Sequence, residues 1–408
     1  MGDNFQPSDP GQVLELLAWA AAETKALEIR GLGSKAGYGR PLPELARLDL
    51  AALTGVTLYE PEELVLSAGA GTPLAEIEEL LAAENQQLAF EPPSYAALLG
   101  ASDSAAATIG GVLACNLSGP RRIARGAARD HFLGVKGVSG RGEAFKSGGR
   151  VVKNVTGYDM SKLLAGSFGT LAAMTEVTLK VLPAPERTRT VLIAGLADGA
   201  AVEALTQAAG SSHDVSGLAH LPATAAARSA VSYVAGAGAA VTALRLEGPG
   251  PSVEHRCLAL RDEFSAHGPV EELHSTNSAT LWREIGEVAL LPGGDSVLWR
   301  LSTAPGDGAR AVDRILGATG QNAAEVFYDW GGGLVWLELP AGEPAAEAVR
   351  AALAEDGSAT LMRAPAELRA RLGVFMPQPP ALAALTERLK EAFDPRGILN
   401  PGRLYEGV

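Results

Sequence analysis

The chain has 408 residues, of which 47% are hydrophobic and 20% are charged, and its formal net charge at pH 7 is -13. This length provides for two domains, or for one large domain with an excursion, and for a sizeable apolar core. The acidic balance argues against general nucleic-acid binding. The two cysteines, Cys115 and Cys257, exclude a disulfide framework and a four-cysteine iron–sulfur cluster.

Patterns for metal binding and membrane insertion are also missing from the sequence. The six histidines are scattered, without the HxxxH or HExxH spacing of a metal site. No run of about 18 uninterrupted apolar residues occurs, and the first ten residues lack the basic and apolar regions of a signal peptide. We therefore predict no bound metal and no transmembrane segment, and we expect a protein of the reducing cytoplasm.

The first elements in chain order are a helix, a strand and a glycine loop. Apolar residues at helical spacing predict a helix over 10–26, capped by Ser8 or Asp9. A short strand over 27–30 then enters a glycine loop over 31–37, which suggests phosphate binding. A dinucleotide-binding Rossmann unit would require a helix to open on the last glycine. Because YGRPLP follows instead, and proline interrupts a helix, we do not expect an NAD site.

A second strand–helix unit comes next. The sequence predicts a strand over 63–68 and a helix over 74–84, with Thr72 as N-cap and Pro73 at the first helical position. An extended segment over 88–93 leads into a glycine-rich stretch over 107–181. Between residues 120 and 163 this stretch carries ten Lys and Arg against three Asp and Glu. Either it binds an elongated, phosphate-bearing ligand, or it is a series of turns with a solvated basic loop.

The composition changes after Pro183, and Pro183 and Pro185 mark a stiff domain boundary. Strand and helix patterns then alternate, which predicts a separate α+β domain whose sheet is covered on one side by helices. A final helix over 380–393 precedes a tail, 394–405, that we expect to dock. The predicted strands of this part are 191–196, 244–249, 296–303, 326–340 and 359–365, and the helices are 198–210, 251–268, 307–320 and 343–357.

Five segments in this order resemble a known family: RGLGS at 30–34, TIGGVLACNLSG at 108–119, GAARD at 126–130, the run from 153 to 183, and FDPRGILNPGRLY at 393–405. They are similar to the vanillyl-alcohol-oxidase (PCMH-type) FAD flavoproteins, and within these to the FAD-binding subunits of bacterial glycolate oxidase. The middle is matched weakly, mainly by YDWGGGLVWL at 328–337. The resemblance implies an α+β fold: a PCMH-type FAD-binding domain of two α+β subdomains over 1–185, an α+β cap domain over 186–375, and a C-terminal segment over 376–408 that returns to the FAD-binding domain.

The resemblance also implies where FAD binds. Residues 30–35 would wrap the pyrophosphate, residues 108–119 would line the ribityl chain, and Arg129 and Asp130 would anchor that loop. Relatives with a covalent flavin often carry histidine where Ser34 stands, so we expect non-covalent FAD. The predicted cofactor-binding residues are Arg30, Gly31, Leu32, Gly33, Ser34, Lys35, Thr108, Ile109, Gly110, Gly111, Asn116, Ser118, Gly119, Arg129, Asp130, Gly169, Thr170, Glu176, Val177 and Asn400.

Oxidation of a 2-hydroxy acid would need a cation for the carboxylate and a base for the hydroxyl proton. Tyr158 is the phenol within the motifs and is the predicted base, although a structural role is an alternative. Lys153 and Arg403 are the predicted catalytic cations. Arg121, Arg122 and Arg125 are further cations that could face an anionic substrate or a partner protein.

Three functions are compatible with these residues. The first is an FAD-binding subunit of a glycolate oxidase complex, which oxidises glycolate or a similar 2-hydroxy acid by hydride transfer to flavin N5. Its partners would be a second flavoprotein subunit and an iron–sulfur subunit, and these would attach it peripherally to the inner membrane. The second is a stand-alone FAD-dependent dehydrogenase of the D-lactate type, and the third is a non-catalytic flavin-binding scaffold subunit. The companion catalytic subunit has histidine and glutamate ligand motifs that this sequence lacks.

Overall fold

The computed structural model describes residues 3–101, 106–149, 157–321, 323–342, 345–354 and 356–408. The helices are α1 Pro10–Glu23, α2 Leu74–Ala83, α3 Ile109–Ala114, α4 Arg122–Arg125, α5 Ala128–His131, α6 Met160–Leu164, α7 Asp198–Gly210, α8 Ala223–Ala226, α9 Ser232–Ala235, α10 Gly250–Phe264, α11 Ser275–Gly286, α12 Gly308–Thr319, α13 Ala346–Ala351, α14 Ala366–Leu372 and α15 Pro380–Phe393. The strands are β1 Asn4–Phe5, β2 Leu27–Arg30, β3 Ala46–Asp49, β4 Val56–Glu60, β5 Val65–Gly69, β6 Gln86–Gln87, β7 Phe132–Ser139, β8 Ala144–Gly148, β9 Ala172–Lys180, β10 Leu182–Pro183, β11 Arg187–Ala194, β12 Val215–Leu221, β13 Val241–Gly248, β14 Val270–His274, β15 Val297–Ser302, β16 Glu325–Asp329, β17 Leu334–Leu339 and β18 Ser358–Arg363.

The chain divides into two compact units, each with sheets and helices, which agrees with the α+β class expected from the sequence. The first unit consists of Met1–Ser118, Gly126–Ala184 and Pro377–Val408. The second consists of Gly119–Arg125 and Pro185–Met376. The sequence had suggested boundaries after residues 185 and 375, but nothing in it indicated that the short segment Gly119–Arg125 leaves the first unit.

Two sheets build most of the first unit. The smaller is parallel with the order β1-β3-β2, and the larger is antiparallel with the order β4-β5-β9-β7-β8. Helix α1 buries Val13, Leu17 and Ala20 against residues of both sheets in one apolar cluster. Asp9 caps α1 by accepting hydrogen bonds from the backbone N–H groups of residues 11 and 12, as the sequence predicted. The helix ends three residues early because Thr24 adopts a left-handed φ of 52°.

The C-terminal tail pairs with strand β2 of the smaller sheet. The Leu27 N–H donates to the Ile398 carbonyl at 2.7 Å, and the Asn400 N–H donates to the Leu27 carbonyl at 3.0 Å. The predicted docking of the tail is therefore confirmed, and the final helix spans the predicted residues. Thr72 is not the N-cap of α2, which was wrong: its hydroxyl donates to the Gly69 carbonyl at 2.7 Å, and Pro73 occupies the cap position.

The second unit is built on an antiparallel sheet with the order β14-β11-β13-β12-β16-β17-β15-β18. Helices α7 and α10 cover one face of its first half, and α12 and α13 cover the second half. The expectation that helices cover only one side was wrong. The side chains of Thr190 and Arg245 point away from the helical face and contact α11 through Ser278 and Trp282. The sequence of α11 is polar and amphipathic, and it did not indicate which face of the sheet this helix would cover.

Candidate functional site

The first unit contains a cleft whose empty space, counted together with its open mouth, is about 830 Å³. It lies between the end of β2, the glycine loop that follows, helix α3, the start of β9 and the C-terminal tail. Twelve residues predicted from the sequence line it: Arg30, Gly31, Leu32, Gly33, Ser34, Lys35, Thr108, Gly110, Gly111, Gly169, Asn400 and Arg403.

The glycine loop presents backbone donors to this cleft. Within the described residues, the N–H groups of Leu32, Gly33 and Ser34 donate no hydrogen bond to another part of the chain. Gly33 has a φ of 85°, a conformation that glycine adopts without strain. Successive unpaired N–H groups in a loop of this kind form a concave site for an anion.

The side chains of the loop add positive charge. Lys35 is only 9% exposed, and its ammonium donates to the Ser34 hydroxyl at 3.0 Å. The Arg30 Nε is buried and has no hydrogen-bond partner among the described residues, while its Nη2 lies 3.9 Å from an Asp49 carboxylate oxygen. A buried donor without an acceptor is costly. The residues present therefore fit a phosphate-bearing ligand.

Close glycine packing brings helix α3 against the loop and strand β5. A Cβ added to Gly31 would lie 2.6 Å from the Thr108 Oγ1, and one added to Gly110 would lie 2.7 Å from the Ala70 carbonyl oxygen. Thr108 is the N-cap of α3, and its Oγ1 accepts from the Gly111 N–H at 3.3 Å. These glycines allow the backbone to approach more closely than any other residue would permit.

The tail holds the loop in place. The Arg403 guanidinium donates to the carbonyls of Ala36 at 2.7 Å, Lys35 at 3.2 Å and Arg40 at 3.3 Å. The Asn400 side chain accepts from the Ile29 N–H at 2.7 Å and donates to the carbonyl of Phe168, which precedes β9, at 2.8 Å. This geometry favours a positioning role for Arg403, because its donors are engaged by loop carbonyls.

A second group of predicted residues bonds to backbone outside the cleft. The Asn116 Oδ1 accepts from the Arg129 N–H at 3.0 Å, the Ser118 hydroxyl accepts from the Ala128 N–H at 2.9 Å, and the Asp130 carboxylate accepts from the Ala127 N–H at 2.8 Å. They fasten two adjoining loops of the first unit to each other.

Other predicted residues are more scattered. Tyr158 is 90% exposed, and Lys153 lies outside the described residues. Glu176 pairs with Lys136 at 2.8 Å and lines a separate polar hollow on the larger sheet. Three further predicted residues are buried in the first unit: Ile109, Thr170 and Val177. Gly119 belongs to the second unit.

The apolar wall of the cleft was missed by sequence reasoning. It includes Cys115, Phe168, Ala172 and Met174, residues with no polar signal to mark them. Burial raises the pKa of the Cys115 thiol to about 11, although the charges of Lys35 and Arg403 oppose the shift. Cys115 therefore stays a protonated thiol near neutral pH and contributes apolar contact rather than a nucleophile.

The arginines of the Gly119–Arg125 segment have partners in the second unit. The Arg121 guanidinium bonds both oxygens of Glu247, with the shortest contact at 2.6 Å. Arg125 lies 3.9 Å from an Asp214 carboxylate oxygen. Arg122 stacks on the ring of Trp330, 4.4 Å from its centroid. Arg121 and Arg125 are thus opposed by carboxylates of the second unit.

Comparison with known proteins connects this geometry to a family. A model of the FAD-binding domain matches residues 4–148, and a model of the C-terminal domain of FAD-linked oxidases matches residues 376–404. Over 397 residues the chain is 34% identical to the glycolate oxidase subunit GlcE of Escherichia coli K12, covering 96% of each chain. The chain belongs to the glycolate oxidase subunit GlcE family.

A sequence relative with another activity matches only part of the chain, whereas solved structures of similar fold cover nearly all of it. A D-lactate dehydrogenase of Archaeoglobus fulgidus is 31% identical over 44% of this chain and 39% of its own length. The solved structure of p-cresol methylhydroxylase with substrate bound covers 98% of this chain and 88% of its own, with 15% identity and a TM-score of 0.72. That of alkyldihydroxyacetonephosphate synthase covers 98% of this chain and 75% of its own, with 16% identity and a TM-score of 0.67.

The family assigns FAD as the cofactor and makes the chain an FAD-linked oxidoreductase of the PCMH-type fold. The cleft fits this cofactor, because its unpaired loop amides, Arg30 and Lys35 suit a diphosphate. Within the described part of the chain, His, Cys, Asp and Glu side chains form no group of three or more that could hold a metal ion. None of the described helices is both long and apolar enough to cross a bilayer.

Replacing Lys35 by methionine is expected to weaken FAD binding by roughly 10- to 100-fold, since a hydrogen bond to a charged group contributes about 1.5–3 kcal/mol. Methionine keeps the aliphatic stem and removes the buried charge. Fluorescence titration of the flavin-free protein with FAD measures the change. Lys25→Met, at an exposed position of the same unit, is the matched control, and equal affinities of the two variants would remove Lys35 from the FAD site.

Acid stability of the second unit is expected to depend on Glu247. The charges of Arg245 and Arg121 outweigh the effect of burial and lower the pKa of Glu247 to about 2. A lowered native pKa stabilises the fold above the unfolded pKa, near 4.3, and this contribution of roughly 3 kcal/mol is lost as the pH falls toward 2. Glu247→Gln should therefore be less stable than the natural protein at pH 7, with the difference shrinking below pH 4.

Denaturant unfolding at several pH values measures this difference. Glu203→Gln, on an exposed position of α7, serves as the control and should follow the natural protein throughout. A constant gap between the natural protein and Glu247→Gln from pH 7 to pH 2 would contradict the assignment.

Proposed function

We propose that this chain is the FAD-carrying subunit of a multi-subunit oxidase that converts glycolate, or a similar small 2-hydroxy acid, to the 2-oxo acid. The observation that carries the proposal is similarity to GlcE over 96% of both chains, a share that has to include most of the second unit. The D-lactate dehydrogenase relative, by contrast, matches less than half of this chain. This difference favours a complex subunit over a stand-alone dehydrogenase.

When bound, FAD supplies a hydride acceptor, and the protein has to orient the substrate and receive the hydroxyl proton. In this proposal the loop amides, Arg30 and Lys35 hold the diphosphate. Arg403 fixes the loop by donating hydrogen bonds to its carbonyl groups. FAD is held without a covalent bond, because Ser34 and the protonated Cys115 thiol offer no ready attachment point. Tyr158 remains the proposed base, with Lys153 as a proposed cation for the substrate.

Electrons from the reduced cofactor have to leave the subunit. Since two cysteines cannot ligate a four-cysteine cluster, an iron–sulfur subunit and a second flavoprotein subunit are the proposed acceptors. The same partners would attach this chain to the inner membrane from the cytoplasmic side. Affinity purification of the tagged chain from its native host, from membrane and soluble fractions, tests both statements through the cofactors recovered with it.

The central experiment uses the chain purified alone. Its visible spectrum and acid release of the cofactor establish whether FAD is bound and whether the bond is covalent. Anaerobic addition of glycolate or D-lactate then tests reduction, which bleaches the flavin bands. Bleaching by glycolate in the reconstituted complex supports the proposal, and bleaching by D-lactate in the isolated chain with full turnover would favour the stand-alone dehydrogenase. A colourless protein that releases no FAD would overturn it.

A further inference from the structure

Trp330 occupies a strained turn between strands β16 and β17 of the second unit. Its φ is 52°, and Gly331 and Gly332 follow with φ values of 69° and 94°. A bulky residue in the left-handed region is rare and costs about 1–3 kcal/mol, and such strain is concentrated at functional sites. The turn is held by the Asp329 carboxylate, which accepts the Trp330 N–H at 2.7 Å, and by the indole N–H, which donates to the Gly119 carbonyl at 3.1 Å.

Two guanidinium groups lie against the ring that this turn presents. The Arg122 Cζ is 4.4 Å from the centroid of the Trp330 ring, and the Arg300 Cζ is 5.1 Å from it. The two cations are therefore at most about 9.5 Å apart. Aromatic stacking fixes a guanidinium in position while leaving its N–H groups at the edge available to an acceptor.

Arg300 lacks the carboxylate partner that several partly buried arginines of the second unit have. Arg121, Arg189, Arg228 and Arg363 each lie within 3.1 Å of a carboxylate oxygen. Within the described residues the Arg300 side chain has neither an ion pair nor a hydrogen bond, and its contact with Trp330 is the interaction that the structure gives it. A half-buried charge without a counter-ion is costly, so its retention suggests that the counter-ion is a ligand.

The sheet register places a hydroxyl beside this cation. Arg300 on β15 pairs with Thr360 on β18, so that both side chains project from the same face, opposite the core residue Trp299. Directly paired residues have Cβ atoms about 4.5–5.5 Å apart. Thr360 is buried, and its hydroxyl forms no hydrogen bond within the described residues. A cation and a hydroxyl at this spacing match the carboxylate and the neighbouring hydroxyl of a 2-hydroxy acid.

We propose that Arg300, held on Trp330 next to Arg122, binds the carboxylate of the small 2-hydroxy acid, with Thr360 beside it for the 2-hydroxyl group. This inference rests on the proposed function for its ligand class. Asp329 is the acidic neighbour in the turn, and the cluster keeps a net positive charge because two guanidinium groups lie against the ring that this one carboxylate helps to hold. Arg300 was absent from the candidates that the sequence suggested, since a lone arginine in a strand carries no motif.

The test measures binding of oxalate, a two-carbon dicarboxylate that cannot be oxidised as an alcohol, to the full FAD-loaded chain by isothermal titration calorimetry. Arg300→Met should weaken oxalate binding by at least tenfold, and Arg300→Lys should recover part of the loss because it restores the charge. Arg283→Met, which removes an exposed guanidinium on α11 of the same unit, should bind as tightly as the natural protein. FAD content and unfolding midpoints are measured for each variant, so that loss of folding is recognised.

Two outcomes would overturn the inference: equal oxalate affinity of Arg300→Met and Arg283→Met, or no oxalate binding by a natural chain that holds FAD. The proposed function fails in a different way. If oxalate binds through Arg300 but glycolate never bleaches the flavin, even with partner subunits present, the carboxylate site is supported and the oxidase function is contradicted. If glycolate bleaches the flavin of Arg300→Met with the same KM as that of the natural protein, the oxidase function is supported and the carboxylate site is contradicted.

Discussion

Replacing Gly110 by alanine is expected to destabilise the flavin-free protein by about 1–3 kcal/mol and to weaken FAD binding by roughly tenfold or more. The added Cβ would lie 2.7 Å from the Ala70 carbonyl oxygen and 2.8 Å from the Ala70 Cβ. Backbone atoms cannot move aside as a flexible side chain can. The helix α3 would therefore have to retreat from strand β5, which breaks the Gly110 N–H bond to that carbonyl, 2.9 Å long, and shifts one wall of the cleft.

The neighbouring glycine offers a matched control. A Cβ on Gly111 would meet the Thr108 Oγ1 at 3.2 Å and the Lys35 Cδ at 3.9 Å. Because both neighbours are side chains, Gly111→Ala should destabilise the flavin-free protein less than Gly110→Ala does. Urea unfolding and FAD titration are run on both variants. Equal stability of Gly110→Ala and Gly111→Ala would show that the α3–β5 packing is looser than the structure indicates.

The loop part of the FAD site could be predicted because its chemistry requires particular residues. A diphosphate held by backbone needs glycines and small residues in a short loop after a strand, and RGLGS at 30–34 supplies them. The helix that follows Thr108 likewise needs glycine at position 110 to approach the end of strand β5. Such positions are visible in a sequence since few other residues can replace them. All of residues 30–35 line the cleft.

The apolar wall could not be predicted in the same way. Met174 and Phe168 differ in no local feature from the core residues around them, and only the packing of separate elements brings them to the cleft. Asn116 and Ser118 show the opposite difficulty. They stand within a family motif, and the structure shows them accepting backbone N–H groups, so a motif alone did not separate ligand contact from loop support. Asp130, which was expected to anchor a loop, accepts the Ala127 N–H.

The second unit was predicted less completely, for a physical reason. Its longer helices, such as α7 and α12, have regular apolar spacing, and they were found almost at their observed bounds. Strands β12 and β14 and helix α11 were missed, although the buried residues of α11 stand at helical spacing: Ser278, Leu281, Trp282 and Ile285. The Gly119–Arg125 segment belongs to this unit because Arg121 meets Glu247, 126 residues later in the chain. Local sequence carries no information on a partner so distant.

The largest loss of stability is expected from Asp394→Ala, at about 3–5 kcal/mol, the usual cost of breaking a buried ion pair by removing one partner. Lys390 and Asp394 are 5% and 2% exposed. The Lys390 ammonium donates to an Asp394 carboxylate oxygen at 2.7 Å and to the carbonyls of Thr170 and Leu399 at 2.8 Å each. Burial lowers the pKa of Lys390, although the Asp394 carboxylate opposes the shift. Removing the carboxylate therefore leaves a buried ammonium group without a counter-ion.

The same substitution is expected to reach the FAD site. The Asp394 carboxylate also accepts from the N–H groups of Ile398 at 3.0 Å and Leu399 at 2.8 Å. These bonds direct the tail along β2 to Asn400 and Arg403, which line the cleft and hold the loop. Asp394→Ala should therefore lower FAD affinity along with the free energy of unfolding, and Asp394→Asn, which keeps an acceptor, should lose less of both.

Glu391→Ala supplies the control, because Glu391 is exposed on the same helix and should change the free energy of unfolding by less than about 0.5 kcal/mol. Combining Lys390→Met with Asp394→Ala removes both charges, and the double variant should be more stable than Asp394→Ala alone. Guanidinium unfolding of the natural protein, Lys390→Met, Asp394→Ala and the double variant measures the coupling between the two residues. A double variant no more stable than Asp394→Ala would contradict this account. The cost of losing the Asp394 carboxylate would then come from its hydrogen bonds to the tail N–H groups, and the unpaired Lys390 ammonium would add nothing to it.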